Sequence, residues 1–321
     1  MKKIFSHKPV MLQEVLSAFE YLKGRKSAIF VDGTLGLAGH SLAIANELKA
    51  KRKKIKVVGI DKDQEALVIA KKNIEEAELS DSFTLVYDDF SNIKEIIKGL
   101  KESNVDGILL DLGVSSMQLD DKSRGFSFED REQLLDMRMN KNQHKDAEYV
   151  LNNYSKHDLE NVLKDGEEKF YKNITKLVIE ARKIKRIKTV GELVKIIEQA
   201  YPLKLKAKKT NFATGTFRAL RLEVNDEISD LEKTIEKLMS VLSPGGKLAI
   251  ISFHSLEDRI VKHKFRTLEN PCTCPPKQPY CTCGKKASLK VLTKKPIMPS
   301  DDEVAENPRS RSAKLRIVEK I

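Results

Sequence analysis

Val31-Asp-Gly-Thr-Leu-Gly-Leu-Ala-Gly-His40 follows the apolar run Ala28-Ile-Phe-Val31 and precedes Ser41-Leu-Ala-Ile-Ala-Asn-Glu-Leu48, which reads as a helix. Strand, glycine loop and helix in that order open a nucleotide-type cofactor site in a doubly wound α/β fold. The glycines let the backbone pass close to a ligand, and N–H groups at the start of the helix favour a carboxylate or phosphate. The spacing is not G-x-G-x-x-G, which disfavours a nicotinamide dinucleotide.

Working outward, Lys56-Val-Val-Gly-Ile60 reads as a second strand with Asp61 at its end, placed to accept hydrogen bonds from ribose hydroxyls. Phe83-Thr-Leu-Val-Tyr87 is a third strand, followed by Asp88, Asp89 and Phe90, a carboxylate-and-ring edge that suits adenine. Gly107-Ile-Leu-Leu110 is a fourth, running into Asp111-Leu-Gly-Val-Ser-Ser116. Leu242-Ser-Pro-Gly-Gly246 is a sharp turn before a fifth strand, Lys247-Leu-Ala-Ile-Ile-Ser-Phe253. Taken singly, each of these aspartates reads as a helix cap or a solvated loop residue. Taken in series, the strand ends form one ligand crevice.

The strand–helix alternation stops after Ser116 and resumes near Thr216. Between them Ile174, Leu177, Val178, Ala181 and Ile184 follow one helical face, and Val190, Leu193, Val194, Ile197 and Tyr201 another. The expected organisation is a discontinuous α/β domain over 1–116 and 216–321, with an inserted helical substrate-recognition domain over 117–215. Leu289-Lys-Val-Leu292 and Ala313-Lys-Leu-Arg-Ile-Val318 read as two last strands, joined by a long loop over 296–312.

The chain has 321 residues with 59 Lys+Arg against 47 Asp+Glu, a net +12. Ten of those basic residues and only two acidic ones fall in 181–209, a footprint that suits RNA or, more plainly, a solvated face. No long apolar helix accompanies the charge, which argues against a membrane surface, and Met1–Lys8 lacks the apolar core of a signal peptide. A cytoplasmic protein is expected. Cys272, Cys274, Cys281 and Cys283 form two C-x-C pairs. In a reducing compartment these read as metal ligands or free thiols rather than disulfides. No metal is assigned to the catalytic site.

The crevice and the Leu-Ser-Pro-Gly-Gly turn resemble class I methyltransferases that use S-adenosylmethionine. More narrowly, the chain resembles the bacterial 16S ribosomal RNA cytosine-N4 methyltransferases of the RsmH or MraW family. The segments that carry this are His7-Lys-Pro-Val-Met-Leu12, Asp32-Gly-Thr-Leu-Gly36 with Gly39-His-Ser41, and Gly107-Ile-Leu-Leu-Asp-Leu-Gly-Val-Ser-Ser116. Gln118-Leu-Asp-Asp121, Arg124-Gly-Phe-Ser-Phe128 and Asp136-Met-Arg-Met139 belong with them. So do Phe217-Arg-Ala-Leu-Arg-Leu-Glu-Val-Asn225, Ile250-Ile-Ser-Phe-His-Ser-Leu-Glu-Asp-Arg259 and Asn307-Pro-Arg-Ser-Arg-Ser312.

The resemblance implies an S-adenosylmethionine site at Ala38, Gly39, His40, Asp61, Phe90, Asp111 and Gln118. It also implies methylation of the N4 amine of a cytidine near the decoding centre (P site) of 16S rRNA within the small ribosomal subunit. Ala38 stands where the family usually has glycine, a change that is acceptable if φ is negative. Gly215 and Arg218 also depart from the family's commonest residues and are expected to alter RNA contacts rather than chemistry. Asp111 is the one catalytic candidate, because Asp111-Leu-Gly-Val lacks the Pro-Pro-aromatic sequence common in amino-methyltransferases. His254 is read either as orienting the base or as a capping residue, and Phe126 and Phe128 either as stacking partners or as core. A SAM-sensing assembly factor and a small-molecule methyltransferase are the competing classes, and the basic insert argues against the second.

Overall fold

The computed structural model describes residues 9–121, 123–202, 212–275, 278 and 280–321. The strands are β1 (Ser27–Asp32), β2 (Lys54–Asp61), β3 (Phe83–Tyr87), β4 (Val105–Asp111), β5 (Leu242–Ser252), β6 (Leu289–Val291) and β7 (Lys314–Lys320). They form one sheet in the order β3-β2-β1-β4-β5-β7-β6. β3 to β5 pair in parallel, while β7 runs antiparallel to β5 and to β6. The order reverses at β1, which has β2 on one side and β4 on the other, and that switch point fixes where a ligand crevice opens. This is the class I methyltransferase sheet.

Strand periodicity explains how both faces are covered. Phe30, Val57, Leu109, Ala249, Ile251, Leu315 and Ile317 point to one side, against Val15, Ile44, Leu48, Leu67 and Ala70 of the helices Leu12–Ala18, Gly39–Ala50 and Gln64–Glu76. Their chain neighbours Val31, Val58, Ile108, Leu110, Leu248, Ile250 and Val318 point to the other. There they meet Ile93, Ile97, Ile235, Leu238 and Phe265 of the helices Ile93–Gly99, Leu231–Val241 and Ser255–Glu269. The near-continuous apolar runs in the sequence reflect this two-sided burial.

The chain divides into an α/β unit, Met1–Gly113 with Asp230–Ile321, and a helical unit, Val114–Ser229. The return to the sheet is therefore later than the expected 216. The helix Thr214–Val224 buries Phe217, Leu220 and Val224 in the helical unit's own core, so only the next helix, Leu231–Val241, belongs to the sheet. The stretch read as a long loop over 296–312 also carries structure. It contains the helix Asp301–Glu306, capped by Ser300, and a 3-10 turn over Pro308–Ser312.

In the helical unit the sequence motifs act as scaffold. Arg124, 1% exposed, donates to the carbonyls of Arg138 and Met139. Asn225 accepts from the Met139 N–H at 2.7 Å and donates to the Met137 carbonyl at 2.8 Å. Phe126 is buried and Phe128 meets Phe217 edge-on, so both rings pack in the core rather than waiting for a base. Gly215 and Arg218 likewise face inward. A Cβ at Gly215 would lie 2.4 Å from Glu168 Oε2, and Arg218 donates to the Gly166 carbonyl. Buried Glu168 in turn accepts from Tyr201, Thr216 and the Phe170 N–H. Gly215 leaves room for this interior acid, and Arg218 ties its helix to the Gly166 carbonyl.

The basic stretch is partly neutralised. Lys185 pairs with Glu192 at 2.8 Å and Arg186 with Glu148 at 3.1 Å. Lys204, Lys206, Lys208 and Lys209 lie outside the described residues. Among the described residues no helix is long and apolar enough to cross a membrane.

Candidate active site

The carboxyl ends of β1, β2 and β4 each carry an aspartate, and the three differ in what holds them. Asp32 is buried; Ser41 donates to it at 2.6 Å and the Thr34 N–H at 3.2 Å. Asp61 accepts the Gly36 N–H on one oxygen at 2.7 Å and the Asp63 N–H on the other at 2.8 Å. Asp111 has its N–H bonded to Thr34 Oγ1 at 2.6 Å, but its Oδ1 is sealed from solvent and meets no hydrogen-bond donor among the described residues. Burial raises the carboxyls of Asp32 and Asp61 to about 6, against the pull of those hydrogen bonds. Asp111 is raised to about 8, first by burial and then by the negative charges of Asp32 and Glu257.

Glu257 enters from the other side of the crevice and is almost fully buried. Its carboxylate accepts the Phe253 N–H at 2.9 Å and stands 2.8 Å from His254 Nε2. His254 itself caps the helix Ser255–Glu269, which gives it the capping role of the two read from the sequence. Asp32, Thr34, Ser41 and Glu257 were not singled out in the sequence. The available signal was their position inside the quoted motifs: Asp32 and Thr34 flank Gly33, and Ser41 ends the Gly-His-Ser run.

The glycine loop differs in one respect from its expectation. Ala38 has φ 69° and ψ 19°, in the left-handed region, so the condition of a negative φ is not met. This is why glycine suits the position. Ala38 begins the helix Gly39–Ala50 without any side-chain cap. Gly39 is close-packed: a Cβ there would lie 2.5 Å from the Pro9 ring. His40 is buried, with Nε2 2.9 Å from the Val10 carbonyl, and desolvation lowers it to about 4, so its side chain is a neutral anchor. What these three residues can offer a ligand is backbone N–H at a helix start.

Phe90 opens a 3-10 turn capped by Asp89, and its ring packs against the core on the β4 side of the sheet. Asp88 holds the Asp89 N–H and the Asn92 amide. Gln118 lies in the helical unit, where its side-chain carbonyl accepts the Ser115 N–H at 3.0 Å in a capping box. The structure thus gathers Ala38, Gly39, His40, Asp61, Phe90 and Asp111 on the α/β unit, and gives Gln118 a structural bond on the other.

The profile of the MraW methylase family matches residues 4–321. The chain belongs to this family. Among its relatives, "Ribosomal RNA small subunit methyltransferase H" of Halothermothrix orenii is 46% identical over 99% of each chain. "Ribosomal RNA small subunit methyltransferase H 2" of Agathobacter rectalis is 45% identical over 98% of each. The protein of Clostridium botulinum strain 657 with the first of these names is 46% identical over 99% of each. A solved rRNA methylase from Streptococcus thermophilus superposes with a TM-score of 0.40 at 12% identity, over 95% of each chain.

Membership implies S-adenosylmethionine as cofactor, and the residues present fit it. That cofactor carries a sulfonium and an ammonium, while the crevice holds Asp32, Asp61, Asp111 and Glu257 with an orphaned carboxylate oxygen on Asp111. A buried cluster of like charges is costly by itself and favours a cationic ligand. The uncapped start of the helix Gly39–Ala50 suits the cofactor's carboxylate.

Proposed function

We propose that the chain methylates the exocyclic N4 amine of one cytidine of 16S rRNA in the small ribosomal subunit, near the decoding centre, in the cytoplasm. The buried, unpartnered Oδ1 of Asp111 at the head of the crevice carries this reading. Family membership and the names of the relatives support small-subunit rRNA as the substrate.

S-adenosylmethionine, when bound, supplies a methyl group already activated by its sulfonium. The protein's own residues then have three tasks. The backbone of Ala38, Gly39 and His40 would hold the cofactor's carboxylate, Asp61 keeps lone pairs for ribose hydroxyls, and Phe90 would flank the adenine. Asp111 accepts a hydrogen bond from the acceptor amine. The N4 lone pair of cytosine is delocalised into the ring, so an anionic acceptor on its hydrogens helps it pyramidalise and then takes up the proton. Leu112, Gly113 and Val114 follow Asp111 where other amino-methyltransferases carry Pro-Pro-aromatic, which leaves the carboxylate to do this work. The helical unit is assigned to the RNA, whose cytidine leaves its stack to react.

Reaction of small subunits from cells lacking this activity with a labelled methyl donor, followed by nucleoside mass spectrometry, tests the proposal. Label on N4 of cytidine is expected, with assembled subunits outperforming short oligonucleotides because RNA is read in its folded context. Label at C5, on a ribose oxygen or only on protein overturns it.

A further inference from the structure

The loop between the helix Ser255–Glu269 and β6 contains every cysteine of the chain. The Sγ atoms of Cys272, Cys274, Cys281 and Cys283 all lie within 4.8 Å of one another. Cys281 stands 3.7 Å from Cys272, 3.9 Å from Cys274 and 3.5 Å from Cys283, and Cys283 stands 3.8 Å from Cys272. These separations are too long for disulfides, which need about 2.05 Å. They match a different object. Four thiolates at about 2.3 Å from a tetrahedral zinc ion lie about 3.8 Å apart.

The surroundings agree with bound sulfur. The Thr282 N–H donates to Cys274 Sγ at 3.3 Å. Such N–H donors are the partners that hold and stabilise metal-bound thiolates. The described residues of the loop are mostly exposed. Tyr280 is 83% exposed, and the residues from Gly284 to Ser288 are exposed as well. Its ends are pinned, with the Ser288 N–H on the Leu268 carbonyl at 3.1 Å and the Val291 N–H on Glu269 at 2.8 Å. Between those pins the described residues bury no apolar side chain, so a cross-link would hold the segment in one shape.

We infer that Cys272, Cys274, Cys281 and Cys283 bind one zinc ion in a closed, structural site. All four coordination positions are protein sulfur, so none remains for a substrate or water. The helix Ser255–Glu269 carries the chain about 20 Å from Glu257 in the crevice to this loop, at ~1.5 Å per residue. The ion therefore shapes the loop and takes no part in methyl transfer, and the site stands whether or not the chain methylates RNA.

Elemental analysis of the full chain purified under reducing conditions from zinc-supplemented cells tests the inference. About one zinc per chain is expected, and the double variant Cys272→Ser/Cys283→Ser should lose it while keeping wild-type S-adenosylmethionine affinity by calorimetry. Cobalt(II) exchanged into the wild-type protein should give the intense visible bands of a tetrahedral thiolate site. If the double variant does not fold, wild-type protein treated with a chelator should release its zinc and become cleavable by protease between residues 270 and 288, with no change in cofactor affinity. Metal-free protein whose four thiols react freely in the native state overturns the inference, as does iron in place of zinc, or a pair of disulfides in protein prepared without reductant.

Discussion

Asp61 and Asp111 end parallel strands of one sheet, and they are held in opposite ways. Each oxygen of Asp61 accepts one N–H, from Gly36 or Asp63, so this carboxylate ties the glycine loop to β2 and keeps a lone pair on each oxygen. Asp111 has no donor on Oδ1, and it faces the negative charges of Asp32 and Glu257. The folded chain tolerates this because the carboxyl stays protonated up to about pH 8. The difference teaches which acid builds the site and which waits for a cation. A satisfied buried carboxylate contributes to the fold, and an orphaned one destabilises it until a ligand arrives.

Replacing each by its amide gives the sharpest contrast. Asp111→Asn removes a charge that only the ligand stabilises. Turnover should fall by ~10²-fold or more, the loss typical of a positioned acid–base group, with an unchanged or raised Tm. Asp61→Asn turns an acceptor into a donor facing a backbone N–H, which costs about 1–3 kcal/mol. Its Tm should drop by several degrees. Thermal melts and single-turnover kinetics on the two variants check both halves. Equal loss of Tm in the two would erase the distinction.

Titration offers a second, smaller test. A cationic ligand binds the ionised form of Asp111, so affinity for S-adenosylmethionine should rise by up to about tenfold per pH unit below pH 8 and level off above it. Binding near pH 7 should release a proton, measurable by calorimetry in buffers of different ionisation enthalpy. The ligand-free protein should behave in the opposite sense. Carboxyls held above their unfolded values favour the fold at low pH, and that stability is lost as the pH rises through about 6 for Asp32 and Asp61 and about 8 for Asp111. Asp111→Asn should flatten both profiles between about pH 6 and 8. A binding profile flat from pH 6 to 9 in the wild-type chain would break the argument.

Much of this was legible in the sequence, and the rest was hidden for physical reasons. Apolar runs followed by Gly or Asp gave the strands and their functional ends, because a parallel sheet buried on both faces allows few other residues there. Roles within the crevice were less visible. Nothing in the sequence separates a carboxylate that has two N–H partners from one that has none, since the partners Gly36 and Asp63 are set by loop geometry. Nor does it show that the His40 side chain is a neutral anchor on Val10, set by burial, which leaves only its backbone to offer a ligand. The specific motifs around Arg124, Asp136 and Asn225 identified the family yet mainly hold carbonyls inside the helical unit. The domain return at 230 was missed because an amphipathic helix does not say which core it packs against.

The smallest expected effect lies at Ala38, where the backbone rather than a carboxylate meets the ligand. Its left-handed φ of 69° costs an L-residue roughly 1–2 kcal/mol, which glycine would relieve. Against that, Ala38→Gly loosens the unfolded chain by about 0.4–1 kcal/mol and deletes a buried methyl worth ~0.8 kcal/mol. The terms nearly cancel, so stability should change by less than about 1 kcal/mol in either direction, a shift of ~2–4 °C at most. Cofactor affinity should hold, since the N–H groups at the start of the helix Gly39–Ala50 do not depend on the methyl. Ala38→Val is the informative partner, because a β-branched side chain in this conformation clashes with its own backbone. It should lower both Tm and affinity. If Ala38→Gly instead weakens binding as much as Asp61→Asn does, the loop's contribution comes from the rigidity of the alanine, and the division between building and waiting groups must extend from the carboxylates to the backbone.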